Sequence, residues 1–111
     1  MEIRKQRQGA VTIVRPEGPL VDPDADIVKT ELLSIAGATL GRLVLDMSAI
    51  AFVDSRGLET LVEVTEEMSE RGQVLKLCGA NKTVREVLEL TELAALFDLF
   101  EDAGSAARSF L

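Results

Sequence analysis

RLVLDMSAIAFVDSRGLETLVEVTEEM, residues 42–68, holds a change of hydrophobic period from strand to helix. Leu43, Val44 and Leu45 form an unbroken apolar run, as a strand buried on both faces requires, and Ile50, Phe52 and Val53 add a second apolar patch. That pattern predicts a strand stopping at Asp54–Ser55. From Leu58 onward Leu58, Leu61, Val62, Thr65 and Met68 fall on one helical face, whereas Glu59, Glu63, Glu66, Glu67 and Glu70 fall largely outside it. Ser55 is therefore expected at the helix entrance.

The first N–H groups of a helix have no intrahelical partner, and the helix dipole makes that end partly positive. A side-chain oxygen there caps the helix, and a phosphate there is stabilised. Asp54 or Ser55 acting as a plain cap accounts for these residues as well as any functional role does, and periodicity alone does not separate the two.

Outward from this stretch the chain alternates elements. Glu2–Gln8 and Ala10–Val14, joined near Gly9, predict a hairpin, and the three prolines and Gly18 between Pro16 and Asp24 predict a strand end and an irregular loop. Ile27, Val28, Glu31, Leu32 and Ile35 then predict a helix, capped by Asp24 or Asp26 and closed at the Gly37–Gly41 turn. After the long helix, Gly72 suits its C-terminal turn, Val74–Cys78 predicts a fourth strand, and Thr83–Leu90 a third helix capped by Asn81 or Thr83. Leu96, Phe97, Leu99 and Phe100 predict a short edge strand, and Ser105–Leu111 a terminal helix. This alternation implies an α/β fold, a mixed four- to five-stranded sheet with helices packed mainly on one face, formed by residues 1–111 as one domain.

Composition excludes several function classes. Hydrophobic residues at 47% and charged residues at 28% describe an ordinary globular chain, and no apolar run approaches the ~20 residues of a membrane span. With a charged Met1–Gln8 and no following apolar core of a signal peptide, a cytoplasmic location is expected. Twelve basic against nineteen acidic residues give a net charge of −7, which argues against nucleic-acid binding and for a basic partner surface. Without histidine and with one cysteine there is no Cys/His metal set, and Cys78 in Val74–Cys78 reads as a buried structural thiol. Ser55 has no histidine base and no glycine-rich phosphate loop is present, so no enzymatic activity and no cofactor are expected.

The wording D-M-S-x-I-x-F-V-D-S-R-G-L, Asp46–Leu58, resembles the signature of STAS-domain proteins, particularly bacterial anti-sigma factor antagonists. In that family the serine directly after the aspartate is phosphorylated by the anti-sigma factor, itself a serine kinase of the ATP-binding type. The resemblance carries that role to Ser55, with Asp54, Gly57 and Leu58 also matching. Arg56 departs from it, standing where the pattern more often has a small residue, and there it can pair with a phosphate on Ser55. Gly18-Pro19-Leu20 followed by Asp22 resembles a Gly-x-Leu-Asp box with Val21 inserted, which implies that Asp22, and with it Asp24, borders the partner surface; plain loop and cap chemistry accounts for them equally. Asp22, Asp54, Ser55, Arg56, Gly57, Glu59 and Glu63 are the candidate partner-binding residues.

Two other functions compete with phosphorylation-controlled binding. A structural STAS subunit, of an ABC-type lipid transporter or a stressosome-like assembly, would use Ser55 only for capping or packing. A receiver domain with Asp54 as phosphoacceptor needs an acidic pair after the first strand to hold magnesium, and Arg15-Pro16-Glu17 does not supply one.

Overall fold

Five strands lie side by side in chain order in the computed structural model, which describes residues 1–111: β1 (Glu2–Gln8), β2 (Val11–Glu17), β3 (Leu43–Asp46), β4 (Lys76–Cys78) and β5 (Asp98–Phe100). β1 and β2 are antiparallel and form the expected hairpin, turning at Gly9 with φ +64°; every later pairing is parallel. The connecting helices are α1 (Asp24–Thr39), α2 (Ser55–Ser69) and α3 (Lys82–Leu90), and α4 (Ala103–Arg108) follows β5. Because successive parallel strands add in one direction and crossovers share one hand, α1, α2 and α3 fall on the same face of the sheet. Only α4 covers the other.

Two apolar clusters reflect this arrangement. The larger joins Val14, Leu43, Leu45 and Leu77 of the sheet to Val28 and Leu32 of α1, Leu61, Val64 and Met68 of α2, and Val84 and Leu88 of α3. The smaller joins Val11, Ile13, Val44 and Cys78 to Ala106 and Ala107 of α4. Alternate residues of β3 thus point into opposite clusters, as its unbroken apolar run requires. Burial pushes the Cys78 thiol up to about 12, reinforced by the Asp46 carboxylate, so it stays protonated at neutral pH. No helix is long and apolar enough to cross a membrane.

Several element boundaries differ from the sequence expectation. β3 stops at Asp46 instead of running to Asp54; Met47–Asp54 is a connection that turns at Ser48–Ala49, and in it Met47 and Ile50 are buried while Phe52 is half exposed. Its only strand-like pairing is an isolated parallel bridge between Val53 and Leu20. β2 continues through a buried Pro16 to Glu17, which a proline tolerates there because β3 pairs only with Thr12–Val14. Neither Asp24 nor Asp26 caps α1: Pro23 holds the cap position without a side-chain hydrogen bond, and both aspartates lie inside the first turn. β4 begins at Lys76, leaving Val74 exposed, and α4 starts two residues early with Asp102 as its cap. Asn81, not Thr83, caps α3.

On α2 the buried stripe is Gly57, Thr60, Leu61, Val64, Thr65 and Met68, so Leu58 and Val62 lie on its flanks. Leu61 is fully buried, and Leu61→Ala is expected to destabilise the fold by ~2 to 5 kcal/mol. Glu63→Ala should cost well under half of that. Urea melts of the two variants check this, and equal losses would place the packed face elsewhere.

Candidate functional site

The entrance of α2 is built against the loop after β2. Asp54, extended in backbone, is the cap: its Oδ1 accepts the Gly57 N–H at 2.8 Å. Its Oδ2 accepts the Asp22 N–H at 3.2 Å, so one carboxylate holds both the helix start and the loop. Backbone pairs continue the seam, Asp54 N–H to Leu20 O at 3.2 Å, Leu20 N–H to Phe52 O at 3.0 Å, and Gly18 N–H to Ala49 O at 3.1 Å. The Gly18–Asp22 loop is therefore stitched along Ala49–Asp54 and brought to the helix entrance.

Gly57 is buried where these segments cross. A Cβ there would stand 2.2 Å from the Leu20 carbonyl oxygen and 2.6 Å from a Val53 methyl, closer than atoms pack. Its place is beneath the site, shaping it, and its side is closed to a partner. Ser55 is the first residue of α2 and is exposed, and because Asp54 performs the capping its hydroxyl is left outside the cap. Asp22 is exposed on the neighbouring loop.

Arg56 and the acidic residues form a second group. The guanidinium pairs with Asp26 of α1 and with Glu59 at 2.9 Å and Glu63 at 3.1 Å on α2. Its pKa is raised further by the hydrogen bond to Asp26, with burial opposing and the charges of Asp26, Glu59 and Glu63 adding. Glu63 also accepts Lys29 at 3.2 Å, so it is engaged within the chain, whereas Glu59 is mostly exposed. Asp24 lies 3.8 Å from the N-terminal amine.

A STAS domain family model matches residues 2–106. The chain belongs to the STAS domain family. Among its relatives, the anti-sigma F factor antagonist of Paenibacillus polymyxa is 22% identical over 107 residues, covering 96% of this chain and 92% of that protein. A crystal structure of an anti-sigma factor antagonist from Mycobacterium paratuberculosis superposes with TM-score 0.82 at 20% identity, covering 97% of this chain and 92% of that one. The antagonist SpoIIAA in its unphosphorylated form gives TM-score 0.78 at 14% identity, with 98% and 96% covered, and its phosphorylated form, from Bacillus, gives 0.71, with 97% and 99% covered. At such identities the structural likeness speaks for the fold.

The structure brings Asp22, Asp54 and Ser55 of this STAS domain together and ties Arg56 to Glu59 and Glu63, one and two turns along α2. Three contributors lay outside the candidate set. Leu20 acts through its carbonyl, Asp26 meets Arg56 from thirty residues away, and Phe52 is 51% exposed beside the seam. Leu20 stands in the Gly18-Pro19-Leu20 stretch, but a contact through a backbone carbonyl leaves no mark in a sequence, and nothing in the local sequence marks Asp26. An apolar residue next to a turn signal could have flagged Phe52.

The clash at Gly57 makes Gly57→Ala a test of the crossing. It is expected to cost roughly 1 to 3 kcal/mol or to shift the loop, while Gly37→Ala in α1, whose Cβ meets nothing, should gain up to ~1 kcal/mol. Thermal melts give the signs, and a stabilised Gly57→Ala would remove the close approach from the account of the site.

Proposed function

We propose that this protein is an anti-sigma factor antagonist that binds its anti-sigma factor when unmodified, thereby releasing a sigma factor, and is switched off by phosphorylation of Ser55. The observation that carries the proposal is an exposed serine at the first position of α2, next to an aspartate that already caps the helix. STAS membership and relatives named as anti-sigma antagonists support it, as does a fold-mate solved with and without phosphate.

The chemistry required of the site is that of a substrate. The partner, acting as a serine kinase of the ATP-binding type, directs the Ser55 hydroxyl oxygen at the γ-phosphorus of ATP. The new O–P bond forms as the bond to the bridging oxygen breaks, ADP departs, and the hydroxyl proton passes to a base of the kinase. The product carries about 1.5 to 2 negative charges at neutral pH. It sits at a helix N-terminus, where the dipole and free N–H groups favour an anion, yet beside Asp54 and Asp22, so a surface that packed against a neutral hydroxyl now meets a concentrated negative charge. Loss of close packing and desolvation of the phosphate then end the complex.

Asp22, Asp54, Arg56, Glu59 and Glu63 make the rim of this binding surface acidic overall, suited to a basic partner face. Asp22→Ala is expected to weaken binding of the anti-sigma factor several-fold with little change in the melt, since only the Asp22 backbone N–H is used in the fold. A large stability loss with unchanged affinity would make it a loop cap.

Ser55→Ala should bind the anti-sigma factor constitutively and take up no phosphate, and Ser55→Asp should bind weakly. Incubation with the genomically adjacent kinase and ATP, followed by mass spectrometry, maps the modified residue. Phosphate on another residue, or none from a kinase active on a known substrate, would turn the assignment toward a structural STAS subunit.

A further inference from the structure

Arg56 stands in the first turn of α2, the positive end of the helix dipole, where a cation is disfavoured. The structure shows what compensates it: one guanidinium nitrogen pairs with Asp26 in the first turn of α1, and the other with Glu59 and Glu63. The side chain therefore spans from the entrance of α2 to the entrance of α1. Ala25 and Val28 anchor that end of α1 in the core, and Lys29 meets Glu63 of α2 at 3.2 Å, but in the first turn the polar ties are few: Pro23 provides no side-chain cap and Asp24 meets only the N-terminal amine, at 3.8 Å. The Asp26 carboxylate makes no other side-chain pairing, and its side chain is 60% exposed, which makes the tie to Arg56 easy to exchange.

Resting on Ser55 as the modification site, we infer that Arg56 is a relay: a phosphate on Ser55 takes the guanidinium from Asp26 and unfastens the first turn of α1 from α2. The phosphate is attached to the residue adjacent to Arg56 in the same helical turn. It carries more charge than Asp26 and offers three acceptor oxygens, to which a guanidinium binds through two parallel N–H bonds. Glu59 and Glu63 lie on α2 itself, so they follow the guanidinium; Asp26 belongs to a different helix and is the partner lost. The mark written on α2 is then also displayed on α1, as a released Asp26 and a looser first turn beside the Asp22 loop. A kinase or phosphatase that touches both helices distinguishes the two forms by more than the phosphate alone.

The experiment places phosphoserine at position 55 by genetic encoding, without any kinase, and follows amide hydrogen exchange of the full chain. The Ala25 N–H, bonded to Val21 O at 2.9 Å, and the Asp26 N–H, bonded to Pro23 O at 3.3 Å, report the first turn, while α3 amides serve as the internal control of global folding. Phosphoserine is expected to speed exchange at Ala25 and Asp26 by roughly two- to fivefold, the scale of losing one exposed ion pair. Unmodified Asp26→Asn and Arg56→Ser should show the same increase, and phosphoserine in the Arg56→Ser background should add nothing to it. No change at these amides in the phosphorylated protein, or an equal further increase without Arg56, overturns the relay. Failure of the kinase to modify Ser55 would overturn the proposed function instead, and the exchange result, obtained without a kinase, would stand.

Discussion

A backbone oxygen and a missing side chain hold the site together. The Leu20 carbonyl lies so near Gly57 that a Cβ there would sit 2.2 Å from it, so the first turn of α2 can rest on the Gly18–Asp22 loop only because residue 57 is glycine. The Asp54 carboxylate then divides between the two segments, one oxygen to Gly57 and one to Asp22. Neither contact is catalytic. Together they set a serine on a rigid helix end beside an acidic loop, with its hydroxyl outside the cap. A modification site on a floppy loop would have to be ordered by its partner, whereas the proposed one is ordered beforehand.

The elements that came through from the amino-acid pattern are those whose period is long and whose punctuation is chemical. The helix after Ser55, the hairpin around Gly9 and the third helix behind Asn81 all appear where apolar spacing and caps placed them. The terminal edge strand also formed, but only over Asp98–Phe100, because Leu96 closes a 3-10 turn and Phe97 precedes the pairing with β4. What misled was apolarity without period. Ile50, Phe52 and Val53 look like strand, yet only Ile50 is buried deeply, Phe52 faces outward, and the segment pairs with a loop instead of a neighbouring strand. Pro16 misled in the opposite sense, since a proline interrupts a strand only where a neighbouring strand needs its N–H, and beside Pro16 the pairing with β3 has already stopped.

At the site the division is similar. Ser55, Asp54 and Gly57 were legible from one contiguous motif, and the Asp22 loop from a second that an extra residue had distorted. Glu63 illustrates the limit: its position on the helix suggested an outward-facing residue, but Lys29 and Arg56 both reach it. Which carboxylate a long cation chooses depends on the crossing of α1 over α2, and that crossing is a property of the whole sheet. Asp26 could not have been paired with Arg56 before the two helix entrances were known to adjoin.

The magnitudes favour a switch that works on the interface and leaves the fold intact. A protein interface of ordinary size spreads over some 20 to 30 residues a side, far more than the few around Ser55, and each ~1.4 kcal/mol of lost binding is tenfold in affinity. Desolvating an ion at a contact costs several kcal/mol unless it is paired, and a phosphate on Ser55 can gain Arg56 as its cation only by leaving a carboxylate unpaired in its place, so the proposed modification still adds an uncompensated charge to the contact. A free cation beside the serine would blunt this effect by neutralising the phosphate. In this chain the adjacent cation is already surrounded by Asp26, Glu59 and Glu63, so whatever charge Arg56 lends to the phosphate it withdraws from a carboxylate, and the site as a whole becomes more negative by the full charge of the modification. Arginine at position 56 thus leaves the sign of the proposed electrostatic switch unchanged and alters only which carboxylate is left without a cation.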